Sequence, residues 1–293
     1  MFPRRKFKLR LPSRTIMLGE HTLVMGILNV TPDSFSDGGH YLDADAAVAR
    51  AIAMEAAGAD IIDIGGESTR PGSSGISVRE EMRRVLPVIE KLRGEIHISI
   101  SVDTSKAEVA EAAAAVGAEI LNDVTGLRND PRIAEVAQRR RLGLILMHMR
   151  GTPKTMQKSS FARDVMRDVT LGLRGSVAVA LKMGVDKSQI VVDPGIGFGK
   201  SHEQNCEIIR RLPQVAKLGF PSLVGSSRKS FLATALKQNS ANDRIWGTAA
   251  TVAASILQGA HIVRVHDVAE MVQVARVTDV VRSPALLRDR NRT

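Results

Sequence analysis

GADIIDIGG, Gly58 to Gly66, joins the end of one element to the body of the next. The Gly-Ala pair stops an Ala-rich helical pattern, as glycine does at helix C-termini. Ile61, Ile62 and Ile64 then make a short β-branched run that reads as a strand. Asp63 sits deep inside that run. The same template returns at Gly117-Ala-Glu-Ile-Leu-Asn122 and at Gly259-Ala-His-Ile-Val-Arg264. Each copy has a helix stop, one polar residue, two apolar residues and a polar residue within the strand. Their equivalent placement marks a repeated helix–strand unit.

Outward from these copies the chain alternates throughout. Strand candidates are LVMGILNV (23–30), ADIIDIGG (59–66), HISISVDT (97–104), EILNDVTG (119–126), GLILMHMRG (143–151), QIVVDPGIGF (189–198), PSLVGSSRK (221–229) and HIVRVHDV (261–268). Helical patterns lie near 43–57, 78–93, 105–116, 131–141, 162–184, 203–217, 244–258 and 268–281. Eightfold strand–helix alternation predicts a parallel sheet, and its span suits an α/β fold of the (β/α)8 TIM-barrel type. An open doubly wound sheet is the alternative, weakened because no G-x-G-x-x-G opens the first helix.

The formal charge of +10 is concentrated at the ends. Residues 1–14 carry +6 and residues 282–293 carry +3, so the body from 15 to 281 is nearly neutral. This distribution predicts one domain over 15–281 between two basic, solvated tails, and argues against a nucleic-acid partner. With only 3% aromatic residues there is no evident platform for stacking bases. No apolar run approaches the ~18 residues of a membrane span. The single cysteine, Cys206, excludes an internal disulfide and suits a reducing cytoplasm; its helical pattern predicts a small packed side chain.

Polar residues recur toward the C-terminal ends of the strands: Asn29; Asp63; Asp103; Asn122 and Asp123; His148; Asp193; Lys229; Arg264 and His266. In a parallel barrel these ends meet at one mouth. A single such acid can merely cap the following helix. Across eight strands that account is strained, and a polar ligand explains the set better. Asp103, Asn122 and Asp193 suit a nitrogen-rich planar ring. Arg70, Lys229, Arg264 and His266, with the turns ESTRPGSSG (67–75) and VGSSRKS (224–230), suit a phosphate group. Asn29 offers a neutral oxygen fit for Mg2+, which takes few protein ligands beside phosphate oxygens. His148 and Met147 read equally well as core residues. No nucleophile–base–acid spacing and no Cys/His cluster stands out.

The blocks MGILNVTPDSFSDGG, DIIDIGGESTRPG, SVDTSK, ILNDVTG, LMHMRGTPKTMQ, VVDPGIGFGK, SSRKSF and GTAAT…HIVRVHDV, in this order from Met25 to Val268, resemble the dihydropteroate synthases of folate biosynthesis, the sulfonamide targets. The basic segment before residue 15 and Gln238–Ile245 do not match. The resemblance implies condensation of 6-hydroxymethyl-7,8-dihydropterin diphosphate with 4-aminobenzoate to 7,8-dihydropteroate and diphosphate. It implies that Asn29 binds Mg2+, that Asp103, Asn122, Asp193 and Lys229 hold the pterin, and that Met147 packs on its ring. Thr69, Arg264 and His266 would hold the diphosphate, assisted by Arg70. Asp33, Phe35 and Asp37 would close over the reacting carbon, and Ser230, Pro71 and Phe198 would line the aminobenzoate slot. On this reading Phe35, a phenyl ring in an otherwise polar loop, is there to cover an aromatic substrate. A homodimer through the last helices is also implied. The rivals are a pterin-binding barrel of the cobalamin-dependent methyltransferase type and a catalytically silent pterin-binding paralogue.

Overall fold

The computed structural model describes residues 2–31, 40–69, 72–73, 75–152, 154–156, 161–237, 240 and 244–290. Its centre is a parallel eight-stranded sheet: β3 (Leu23–Asn29), β4 (Ile61–Gly65), β5 (Ser99–Asp103), β6 (Ile120–Asp123), β7 (Gly143–Met147), β8 (Ile190–Asp193), β9 (Leu223–Val224) and β10 (Ile262–Val265). The order β8-β7-β6-β5-β4-β3-β10-β9 leaves β8 and β9 at the two edges. A parallel bridge between Val192 and Ser222, with Val192 N donating to Pro221 O at 3.0 Å, closes that seam. The predicted barrel is the observed one.

The strand interiors follow from residue type. Ile61, Ile62 and Ile64 are all fully buried. Alternate residues face the lumen and the helical shell, as the pleat demands. Leu23, Met25, Ile61, Ile120, Ile145, Val191, Leu223 and Ile262 fill the lower lumen. Val24, Ile62, Ile64, Leu121, Leu144 and Val263 pack outward against the helices. Those are α1 (His40–Ala56), α2 (Val78–Leu92), α3 (Ala107–Val116), α4 (Arg132–Arg140), α5 (Val165–Lys182), α6 (His202–Arg210), α7 (Pro213–Ala216), α8 (Ser230–Leu236), α9 (Ile245–Leu257), α10 (Val268–Arg282) and α11 (Ala285–Arg290). Pro213 splits the expected helix at 203–217 into α6 and α7, because its ring starts a new first turn. Among the described residues, no helix is long and apolar enough to cross a membrane.

Three expectations are corrected. Residues 2–14 are not a solvated tail. β1 (Phe7–Arg10) and β2 (Thr15–Leu18) form a hairpin whose Leu9, Leu11 and Leu18 join the lower lumen cluster. Its basic residues alternate with apolar ones, so one face plugs the barrel while the other meets water. Arg4 is buried, donating to Asp279 Oδ1 at 2.8 Å, Thr22 Oγ1 at 2.6 Å and the Ala260 carbonyl at 2.8 Å. The C-terminal segment is likewise not wholly a tail, since α11 occupies 285–290 and Arg282 Nη1 donates to Phe2 O at 2.9 Å. Cys206 is exposed, on the outer face of α6, rather than packed.

Candidate active site

Parallel register sets Asn29, Gly65, Asp103 and Asn122 side by side at the ends of β3 to β6. One step deeper, Asp63 aligns with Ile27 and Ser101. From β10, Arg264 reaches across: its Nε donates to Asp63 Oδ2 at 2.6 Å and its Nη2 to Asp103 Oδ2 at 2.8 Å. Asn122 Nδ2 donates to the same Asp63 oxygen at 2.9 Å. Four strands are thus tied by one buried polar network. Burial, reinforced by Asp63, pushes the Asp103 carboxyl up despite its bond to Arg264. The acids Asp63 and Asp103 hold Arg264 protonated against the cost of burial.

On the other wall, Met147 and Asp193 are register partners on β7 and β8. Asp193 Oδ1 accepts from Gly195 N at 2.7 Å. Gly195 has φ +69°, and a Cβ there would stand 2.0 Å from the His148 carbonyl oxygen, so the turn requires glycine. Lys200 is buried and donates to the carbonyls of His148 at 3.1 Å and Phe198 at 3.0 Å, locking the loops after β7 and β8 together. Burial raises Asp193 to about 6, with Gly195 and the cations Lys200 and Lys229 opposing. Burial lowers Lys200 to about 7, with Asp193 opposing.

Lys229 is the residue before α8. Its Nζ lies 4.0 Å from the Phe198 ring centroid, and Gly197 leaves room for its stem. Burial lowers Lys229 to about 8, helped by Arg264 and opposed by Asp193 and Asp103. Phe198 also packs with Val124, Met147, Met149 and Met156, an apolar shelf beside the polar wall. Ser230 opens α8 and is exposed.

The third side carries His266. Ser227 Oγ accepts the His266 backbone N–H at 3.2 Å and meets Nδ1 at 3.0 Å. Burial, with Arg264 and Arg228 nearby, lowers His266 to about 3, so it is a neutral hydrogen-bonding ring at neutral pH rather than a cation. Arg228 forks onto Asp267, its Nε 3.0 Å from Oδ2, and pins the β9–α8 turn to the start of α10. Thr69 is half-buried on the loop after β4. Lys106 ion-pairs with both Glu67 of that loop and the fully buried Glu81 of α2.

The structure therefore brings together Asn29, Asp103, Asn122, Met147, Asp193, Phe198, Lys229, Arg264 and His266. Arg264, grouped with the phosphate ligands on sequence grounds, spends two of its three nitrogens on Asp63 and Asp103 and keeps Nη1. Asp33, Phe35, Asp37, Arg70 and Pro71 lie outside the described residues. Asp123 proves to be a loop organiser, accepting from Thr125 N at 2.8 Å and Leu127 N at 2.6 Å. His148 is half-buried, its Nε2 3.6 Å from Asp168 Oδ2. Sequence reading assigned no role to Lys200, Lys106, Glu81 or Ser227. Their signals were weak: a lysine after a Gly-rich turn, and a serine in a Ser-Ser pair.

A metal at Asn29 would find few protein donors around it. Among the described residues no three His, Cys, Asp or Glu form a metal cluster. Gly65 keeps the space beside Asn29 open: a Cβ there would lie 3.8 Å from Asn29 Oδ1 and 3.9 Å from Asp103 Oδ2. One neutral oxygen beside open space fits a Mg2+ that draws its other oxygens from phosphate and water.

A family model described as pterin binding enzyme matches residues 25–266. The dihydropteroate synthase of a Synechocystis species is 48% identical over 90% of this chain and 91% of that protein. The chain belongs to the dihydropteroate synthases. A Clostridium difficile member of that family, solved in the presence of pteroic acid, has a TM-score of 0.85 and 46% identity, over 90% of this chain and 98% of that one. The Xanthomonas albilineans dihydropteroate synthase, solved with 4-aminobenzoic acid, has a TM-score of 0.88 and 39% identity over 95% and 99% of the two chains.

Proposed function

We propose that the barrel mouth joins 6-hydroxymethyl-7,8-dihydropterin diphosphate to 4-aminobenzoate, giving 7,8-dihydropteroate and diphosphate for folate biosynthesis. The observation that carries this is the set of polar atoms left uncommitted among the described residues. Asp103 uses Oδ2 on Arg264, Asp193 uses Oδ1 on Gly195, and Asn122 uses Nδ2 on Asp63. Asp103 Oδ1, Asp193 Oδ2 and Asn122 Oδ1 remain as acceptors, and Lys229 Nζ as a donor. A 2-amino-4-oxo ring offers an amino group and ring N–H groups to the former and oxygen to the latter. The apolar shelf of Met147 and Phe198 suits the two aromatic faces.

The chemistry is a displacement at the methylene carbon. The C–O bond to diphosphate breaks, taking its electron pair with the leaving group. The amine nitrogen of 4-aminobenzoate forms the new C–N bond and sheds a proton to water or the departing diphosphate. The residues supply position and charge rather than a strong base. Arg264 Nη1, the His266 ring and Thr69 would engage the diphosphate. Asn29 would hold Mg2+, which when bound neutralises charge on the leaving group. Asp103 would favour positive charge developing on the dihydropterin. Lys229, beside Asp193 and above Phe198, would sit between the two substrates.

We also propose a homodimer in the cytoplasm. Trp246 on α9, Val277 and Val281 on α10 and Leu287 on α11 are exposed apolar side chains, Trp246 by 77%. They would form an apolar contact of the kind that marks interfaces. Sedimentation of the protein and of Trp246→Glu tests this: a dimer that becomes monomeric is expected. The catalytic reading is tested by diphosphate release on mixing both substrates with Mg2+. Release that needs both substrates is expected; release without 4-aminobenzoate, or none, overturns it.

A further inference from the structure

Asp63 is fully buried, yet its hydrogen bonds among the described residues run only to two residues of the mouth. Its Oδ2 accepts from Asn122 Nδ2 at 2.9 Å and from Arg264 Nε at 2.6 Å. Its Oδ1 is buried without a partner. A residue kept for strand stability would be expected to bond backbone; this one bonds side chains that face the ligand. We propose that Asp63 is a positioning residue that sets the mouth's preference for a 2-amino ring, by holding the Asn122 amide with its oxygen toward the ligand. The inference rests on the pterin reading above.

The physical basis is the one-sidedness of a carboxylate. An ionised carboxylate only accepts, so the Asn122 amide must turn its NH2 toward Asp63. The flipped amide would set oxygen against oxygen in a buried site, losing a charge-assisted bond as well. Asn122 Oδ1 is therefore the end left for the ligand. It joins Asp103 Oδ1 and Asp193 Oδ2 in a wall made of acceptors. A ring with an amino group at position 2 meets that wall with donors. A 2,4-dioxo ring of the same shape puts an oxygen in place of the amine and leaves buried acceptors unpaired. Sites built on such pairing reject mismatched analogues strongly.

An asparagine at position 63 keeps the shape but can face Asn122 with either end, so the amide orientation is no longer imposed. The test measures dissociation constants for 6-hydroxymethylpterin and for its 2,4-dioxo counterpart, 6-hydroxymethyllumazine. The proteins are wild type, Asp63→Asn, Asn122→Ala and the double variant. Wild type is expected to prefer the amino ring by about 100-fold or more, and Asp63→Asn to lower that preference by about tenfold. The double variant should lose no more preference than Asn122→Ala alone, because Asp63 acts through that amide. An unchanged preference in Asp63→Asn, or additive losses in the double variant, overturns the inference while leaving pterin binding intact. Wild-type protein that binds neither ring overturns the functional reading and this inference with it. Should Asp63→Asn not fold, amide hydrogen exchange of the Asn122 side chain in 15N-labelled wild type decides. Slow exchange of its NH2 is expected, and fast exchange overturns the inference.

Discussion

The Lys229 ammonium lies over the face of Phe198, 4.0 Å from the ring centroid. The ring face carries negative potential, so it stabilises the half-buried cation while offering its edge and remaining face to an aromatic substrate. Phe198→Leu keeps an apolar side chain and removes the π face. The KM for 4-aminobenzoate should rise about three- to tenfold, the scale of a cation–π contact, with that for the pterin diphosphate within about twofold. Lys229→Ala should weaken both substrates. Steady-state kinetics with each substrate varied in turn separates the two outcomes, and equal losses in Phe198→Leu would place the ring outside the aminobenzoate slot.

Pterin affinity should be highest between about pH 7 and pH 8, because Asp103, raised by burial to about 7, must also be ionised to accept. Asp193, raised to about 6, accepts from ring N–H groups only when ionised, so affinity falls as pH drops below that value. Lys229, lowered to about 8, loses its charge above it, so affinity falls again on the alkaline side. Lys200, at about 7, donates to its two carbonyls in either protonation state and adds no limb of its own. Titration of pterin binding by fluorescence across this range should give the bell shape expected of an essential acid and base pair. A flat profile would remove both groups from the pterin contact.

How far the sequence reveals this site depends on the kind of residue. The barrel is legible because its signal is local: Gly-Ala stops, β-branched runs and strand-end polar residues repeat along the chain. Asn29, Asp103, Asn122 and Asp193 are legible for the same reason. The N-terminal hairpin was not, since FKLR and TIML are short and the arginines and lysines in and around FKLR dominate the charge count. Arg4 looked like one more tail charge because its partner, Asp279, is 275 residues away. Asp63 was visible as a strand-end acid but had no role, because its meaning lies in side chains from β6 and β10. Lys200 was hidden similarly: only the fold shows that a lysine after Phe198-Gly199 turns inward to two carbonyls.

Mg2+ should be required for diphosphate release and dispensable for binding the unphosphorylated pterin. Asn29 contributes one neutral oxygen, so most of the ion's hold would come from diphosphate itself. Chelation with EDTA should stop diphosphate release, and added Mg2+ should restore it. Asn29→Ala should raise the Mg2+ concentration for half-maximal rate by about tenfold, the size of one lost ligand interaction. Its affinity for 6-hydroxymethylpterin should stay as in wild type. Calorimetry on the same protein checks that second half, and a parallel loss of pterin affinity would show that Asn29 contacts the ring.

Arg4→Met should destabilise the whole barrel, and Arg5→Ala should not. Arg4 is closed off from water with Asp279, whose Oδ2 and Oδ1 also accept from Thr22 N and Thr22 Oγ1, the latter at 2.8 Å. Removing the guanidinium leaves the Asp279 carboxylate buried without its cation, a loss on the order of 3–5 kcal/mol. The neighbouring Arg5 side chain is exposed, and its carbonyl, which any residue would supply, accepts from His261 Nε2 at 2.9 Å. Its truncation should cost within about 0.5 kcal/mol. Urea unfolding followed by circular dichroism measures both. Because the clamp lies at the floor of the barrel and the mouth at its other end, KM values of folded Arg4→Met should match wild type. Equal stability of the two variants would return residues 2–14 to the role of a solvated tail.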